Sequence, residues 1–343
     1  MGSNQWFSAG LIVAVGSILI FGLRILPREN MQILASVPVR RRPDGLWQGV
    51  NLTWYGAMQM TGMVCAVALA LMLAGSAAVP MGKVVFMLAV LLAVALPAAR
   101  LLALIVERRS GTFTVGGAVF AATVLLPWVA QLGDAWFGGI QAFPAVAALA
   151  VAYPVGEGIG RLACISFGCC YGRRLDTSPP WLRALFGWKP AIIVGRTRKA
   201  AYAGQCDGVP VLPVPALSAC VLSAAGVGSV PIFLAGHFRA AALLSLGVAF
   251  AWRFVSEFLR ADYRGEGRLS AYQWMALVCL CYTIPVIVWF PANHRVPDIH
   301  RGLVLFDSPL VWLALAGLGL VVFAYLGISK MTTATIELKV QDG

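Results

Sequence analysis

Charge is scarce in this chain. Of 343 residues only 12% are Asp, Glu, Lys or Arg, and the 14 acids are outnumbered by 26 bases. Histidine occurs three times. A soluble domain carries about a quarter of its residues as charges, so this shortage excludes one. With 60% apolar residues and a mean hydropathy of +0.82, the composition is that of a polytopic membrane protein. Other absences narrow the function. The eight cysteines form no Cys-x-x-Cys pair with a matching histidine, so their spacing supports no zinc finger and implies no cofactor or metal. The Gly-rich run GEGIG (156–160) lacks a following Lys-Ser/Thr and a preceding strand, which excludes a nucleotide loop. No internal repeat is present, so an inverted-repeat transporter gains no support. The first apolar run has no basic n-region and no small-x-small cleavage site, and is expected to stay as a helix.

What is present is a series of apolar runs, each long enough for a hydrocarbon core of about 30 Å. They lie near 8–23, 54–79, 84–105, 113–131, 141–160, 212–235, 240–252, 272–290 and 304–328, the seventh needing to run on through Arg253 and Glu257 to about 259. The expected fold is an all-α polytopic membrane protein of eight or nine transmembrane helices, with a small extramembrane head at 171–211. Three parts are expected: N-terminal helices with a basic connector (1–110), a membrane core including the head (111–290), and an extra C-terminal helix with a polar, loose tail (291–343). The connector 24–45 is basic and partly amphipathic, and its Arg40-Arg41-Arg42 cluster suits a head-group surface. The net charge of +12 sits in loops, where lipid head groups and the positive-inside bias account for it without nucleic acid. Nine spans put the basic loops 24–53, 106–111, 164–211, 259–271 and the tail on one side, which by charge is the cytoplasmic one.

Ionisable residues inside the spans are the informative ones, because each costs about 2.5–3.5 kcal/mol at the helix centre without a partner or a task. Glu157 and Arg161 are four apart, as are Arg253 and Glu257, so each couple shares a helix face. A local ion pair with a snorkelling arginine is one reading. The other is a phosphate site, since further arginines follow at 173, 174 and 260, and guanidinium forks bind phosphate oxygens bidentately. Gly156/Gly160 and Gly168/Gly172 have the small-xxx-small spacing of close helix packing. At Gly168 and Gly172 a turn that brings backbone near a ligand reads equally well.

At these residues the chain resembles a known family. PVGEGIGRLACISFGCCYGR (154–173) is similar to the signature of the bacterial prolipoprotein diacylglyceryl transferases, and GHFRAAALLSLGVAFAWRFVSEFLRAD (236–262) to their helix ending in Arg-Phe-x-x-Glu-Phe-x-Arg. LSAYQWMAL (269–277) resembles a Gln-containing helix start, and SGTFTVGGAVF (110–120) a Gly-Gly helix start. The resemblance covers roughly 110–290. It implies an inner-membrane enzyme that moves the diacylglyceryl group of phosphatidylglycerol onto a cysteine thiol of a lipoprotein precursor peptide, releasing glycerol phosphate. By position it implies Arg161, Arg253 and Glu257 as the catalytic set, the arginines on the lipid phosphate and Glu257 orienting Arg253. Glu157, Gly160, Cys164, Gly168, Cys169, Tyr171, Gly172, Arg173 and Arg260 would line the lipid-phosphate pocket. It also implies a signature and head on the outer face, against the charge count.

The departures from the family pattern are specific. Val115 stands where the family has a histidine before Gly-Gly, and Cys164 and Cys169 stand where its signature has Asn and Glu. VPALSAC (214–220) stands where a His-Pro-x-x-Leu-Tyr-Glu start is expected. His237, His294 and His300 lie elsewhere. Three functions fit: the transferase itself, a non-catalytic phospholipid-binding descendant, and a lipid transferase with another acceptor. Cys169 as a nucleophile, the cysteines as pocket wall, and a disulfide to Cys206 are the readings open for the thiols.

Overall fold

The computed structural model describes residues 2–41, 43, 47–107, 115–137, 142–261, 268–290, 296–329 and 335–336. The chain is mostly helical, and among the described residues nine helices are long and apolar enough to cross a membrane, one for each apolar run of the sequence. In order they are α1 (Ser3–Ile25), α2 (Trp54–Ser76), α3 (Met81–Glu107), α4 (Val115–Phe137) and α5 (Ala142–Phe167), followed in the head by the short α6 (Pro180–Phe186) and α7 (Lys199–Gly204). Then come α8 (Val214–Leu234), α9 (Phe238–Leu259), α10 (Ala271–Trp289), the short α11 (Ile299–Leu303) and α12 (Pro309–Leu326). The seventh span does run through Arg253 and Glu257.

α5 is the central element: 83% of its span is buried, against 11% for α1 and for α12. Its glycines explain this. A Cβ on Gly62 of α2 would lie 2.5 Å from the Gly156 carbonyl oxygen and 3.0 Å from the Gly160 nitrogen, so α2 and α5 touch backbone to backbone. On the other side, a Cβ on Gly158 would lie 2.8 Å from the backbone nitrogen of Ser223 of α8, so the GEGIG run serves close packing on both flanks. Gly168 and Gly172 do not continue this stripe. α5 ends at Phe167, Gly168 takes φ +72° in the following turn, and Gly172 forms a β-bridge to Arg260, so these two glycines stand in a turn rather than on a helix-packing stripe.

The connector, the head and the start of the C-terminal tail share one end of the bundle. The connector is a β-hairpin, β1 (Ile33–Arg41) against β2 (Trp47–Thr53), where an amphipathic strip was expected. Its alternating LASVPVR pattern has period two, which suits a strand. β2 also pairs with β5 (Ile328–Ser329) and β6 (Thr335–Ile336), so part of the tail expected to be loose is tied into a sheet. Within the head, β3 (Ala191–Ile192) pairs with β4 (Pro210–Val211). Arg198, buried in the head, donates to the carbonyls of Leu26 (3.3 Å), Pro27 (3.0 Å) and Arg28 (2.5 Å) at the end of α1. A cation on the orphan carbonyls of a helix C-terminus is favourable, and here it clamps the head to α1. At the opposite end Lys83 of α3 pairs with Asp134 of α4. Both residues stand just outside the apolar runs read from sequence, which is why this buried pair escaped notice there. The basic turn at 108–110, residues 110–114 of the Gly-Gly motif, Asp262, His294 and most of the tail lie outside the described residues.

Candidate active site

Helix spacing alone sets up half of the site. Tyr153, Glu157 and Arg161 follow one another at i,i+4 on α5, so their side chains stack on one face. Tyr153 Oη donates to Glu157 Oε2, and Arg161 Nη2 donates to Glu157 Oε1. The other half comes from α9. Arg253 Nη1 reaches the same Glu157 Oε1 at 3.3 Å, and Arg260 Nη1 donates to Glu257 Oε1 at 3.1 Å. The pairing therefore differs from the sequence expectation that Arg253 pairs with Glu257 on its own helix. α9 packs against α5, which places Glu157 between two guanidiniums, while Glu257 holds Arg260 one turn on. None of the five side chains is more than 14% exposed.

Backbone pairing brings Arg260 to the signature. Arg173 N donates to the Leu259 carbonyl at 2.9 Å and Ala261 N to the Tyr171 carbonyl at 3.1 Å, zipping the end of α9 to the turn after α5. Cys170, at φ +57°, lies in that turn. A non-glycine residue in the left-handed region costs about 1–2 kcal/mol, so the surrounding pairing must hold it.

Two cavities share this charged wall. The smaller is polar and is lined by Glu157, Arg161, Cys170, Arg253, Glu257 and Arg260 with Val214, Pro215, Ser218 and Trp252. Val214 and Ser218 are where the family's His-Pro start was expected, so that stretch does border the site. The larger cavity, about 1720 Å³, has the same six residues at one end and runs along Leu88, Leu91, Leu92, Val119 and Val321 between α2, α3, α4 and α12. It exceeds the roughly 300–1,000 Å³ of ordinary small-ligand pockets. Leu101, Leu104 and Val321 line it and are each more than half exposed on the outside of the bundle, so the cavity opens sideways between α3 and α12. Arg100 bridges that opening by a hydrogen bond to Tyr325 Oη, its guanidinium 5.2 Å from the ring.

Of the residues singled out from sequence, Glu157, Gly160, Arg161, Cys164, Cys169, Cys170, Tyr171, Arg253, Glu257 and Arg260 line one or both cavities. Gly168, Gly172 and Arg173 do not; Arg173 is exposed, and Arg174 pairs with Asp176 in the head at 2.6 Å. The converging arginines are thus 161, 253 and 260, without 173 and 174. Val115 lines the large cavity, and its neighbour Gly116 is close enough to Arg253 that a Cβ there would sit 3.4 Å from Nη2. The site of the missing histidine is therefore beside the arginines. All eight cysteines are free thiols. Cys206 Sγ donates to the Gly204 carbonyl at 3.1 Å within a separate head cluster, and burial pushes its pKa up, so of the readings open for the thiols the disulfide to Cys206 is not formed.

Residues 46–289 match the sequence model of the prolipoprotein diacylglyceryl transferases. The chain belongs to that family. A search of the curated proteins found no match. The matched region spans α2 to α10 and so contains the whole charged wall, beginning well before the roughly 110–290 of the motif resemblance. Family membership gives the general function, diacylglyceryl transfer to lipoprotein precursors from a phospholipid donor, and with nine apolar helices it makes this a multi-pass membrane protein.

Sequence reading missed three members of the site. Tyr153 could have been found from its i,i+4 spacing to Glu157. Gln59, which lines the large cavity and donates to the Gly160 carbonyl at 3.4 Å, carried no signal in an otherwise apolar α2. Tyr272 lines the cavity and packs on Gly116, and it is set there by the Ser270–Gln273 capping box at the start of α10. The matching Gln273 is thus a cap, and its side chain also donates to the Phe254 carbonyl of α9 at 3.3 Å.

Proposed function

We propose that this chain transfers the diacylglyceryl group of phosphatidylglycerol to a cysteine thiol of a lipoprotein precursor in a bacterial plasma membrane, with residues 111–290 as its catalytic core. The observation that carries the reading is the charge of the buried wall. Among the described residues, three arginines against two glutamates leave one positive charge on that wall; Arg100 and Lys199 add positive charge elsewhere around the larger cavity, whose long side is apolar. A phosphodiester lipid brings one negative charge and two acyl chains, which match the wall and the cavity respectively.

In this reading the lipid enters sideways between α3 and α12, its acyl chains lie along the leucines, and its phosphate meets Arg161 and Arg253. Glu157 holds both guanidiniums in place, Tyr153 fixes Glu157, and Glu257 fixes Arg260. These positions are set before the substrate arrives, which is the condition for electrostatic stabilisation in a water-poor site. The acceptor thiolate attacks the glycerol carbon that bears the phosphate. The C–S bond forms as the C–O bond breaks, and glycerol phosphate leaves with the electron pair, its growing charge met by the arginines. The thiol proton ends on the released phosphate.

The test is transfer of labelled diacylglyceryl from phosphatidylglycerol to a lipobox peptide by the purified chain. Loss of one positioned donor typically lowers turnover by about 10²–10³-fold, and that drop is expected for Arg161→Ala and for Arg253→Ala. Val115 in place of the histidine favours one other reading, a phospholipid-binding descendant without catalysis. Arg161-dependent binding of phosphatidylglycerol with no transfer would establish that reading instead.

A further inference from the structure

The family histidine is absent, yet the acceptor thiol must lose its proton. Three thiols stand in the same wall. The sulfurs of Cys164, Cys169 and Cys170 all lie within 4.8 Å of one another, and those of Cys164 and Cys170 are 3.8 Å apart. That spacing is too long for a disulfide bond of about 2.0 Å. It is the spacing of two thiolates on one tetrahedral ion, because Zn–S bonds of about 2.3 Å at the tetrahedral angle separate the sulfurs by about 3.8 Å. The three come from the last turn of α5 and the turn that follows, a Cys-x4-Cys-Cys pattern unlike the spacing of zinc fingers. Cys170 joins them only through its left-handed backbone, which the pairing of Tyr171 with Ala261 maintains. All three line the large cavity.

We propose that Cys164, Cys169 and Cys170 form a three-thiolate zinc site whose open fourth position takes the acceptor cysteine. Three protein ligands with one open position are the arrangement of catalytic rather than structural zinc. A thiol that coordinates the ion gives up its proton, so the site would deliver a thiolate without a histidine base. The released proton passes to the departing glycerol phosphate, as in the transfer step above, and no electron is gained or lost. Zinc with three thiolates carries one negative charge, and Lys199 of α7, which lines the same cavity, offers the opposite one. The Cys164 and Cys169 departures from the family signature and the Val115 departure then have a single explanation. The inference rests on the proposed transferase reading for its purpose, and on sulfur geometry for the site.

The experiment measures zinc in the full chain purified in detergent under reducing conditions without chelator. About one zinc per chain is expected. Cys164→Ser and Cys170→Ser should each lower it at least tenfold, while Cys65→Ser, remote from the cluster, leaves it unchanged. Cobalt exchanged for zinc should give thiolate-to-metal charge-transfer absorption that intensifies with a lipobox peptide and not with the same peptide carrying serine for cysteine. Protein that holds no zinc after incubation with it, or zinc that persists in both serine variants, overturns the site. A cobalt spectrum indifferent to the peptide overturns the acceptor role. Undiminished transfer by chelator-treated, zinc-free protein overturns the inference and leaves the proposed function standing. Zinc with the peptide response but no transfer keeps the site and removes the transferase reading.

Discussion

Glu157 is the residue whose removal should be felt most, because one carboxylate serves two buried guanidiniums and a tyrosine. At 3.3 Å the attraction between Arg253 and Glu157 is about 5 kcal/mol at an effective dielectric of about 20. Desolvation offsets part of this, but removing one partner of a buried pair still costs about 3–5 kcal/mol, because the remaining charge is stranded. Glu157→Gln strands two like charges rather than one. At about 2 °C per kcal/mol, the apparent melting temperature in detergent should fall by about 6–10 °C. Replacing Arg253 by methionine in the same chain removes one stranded charge and should recover part of the loss, so that Glu157→Gln with Arg253→Met melts above Glu157→Gln alone. The assay is thermal unfolding of the four proteins of this cycle in one detergent at one lipid content. If the double variant melts at the sum of the two single losses, the bridge between α5 and α9 does not exist, and the shared-carboxylate account of the site fails with it.

Four further outcomes are expected. Gly62→Val should destabilise the bundle by about 1–3 kcal/mol, seen as a lower melting temperature, since even its Cβ would press on the Gly156 carbonyl at 2.5 Å. Arg198→Met should loosen the head at a cost of about 1.5–3 kcal/mol for each carbonyl bond lost, and limited trypsin digestion should then cut within 171–211 sooner than in the parent. Arg253→Lys should lose most of the activity that Arg253→Ala loses, because an ammonium cannot engage Glu157 and a phosphate with one planar fork; full activity in the transfer assay would contradict this. In a chain carrying Cys164→Ser and Cys170→Ser, Val115→His should restore measurable transfer, since position 115 lines the cavity beside Arg253; no recovery in a folded variant would mean that the histidine position is not where the thiol loses its proton.

The sequence by itself determined the membrane class, the place of the spans and their number to within one, because a run of apolar residues long enough for the bilayer is a local property. It also determined the Glu157–Arg161 pair, which helical spacing fixes, and the family motifs at 154–173 and 236–262. Local spacing misled where partners lie on different helices. Arg253 and Glu257 are four apart, yet Arg253 turns to Glu157 because α9 lies against α5, and only packing brings those faces together. Arg173 and Arg174 read like members of the cluster, but α5 stops at Phe167 and the turn at Gly168 sends them into the head. The connector's hairpin is joined on its β2 side by strands from the far C-terminus, and the Lys83–Asp134 pair comes from the antiparallel packing of α3 and α4. The gathering of Cys164, Cys169 and Cys170 needed the left-handed turn at Cys170 and its pairing with the end of α9. A contact between residues far apart in the chain is set by the packing of whole helices, and no short stretch carries that information.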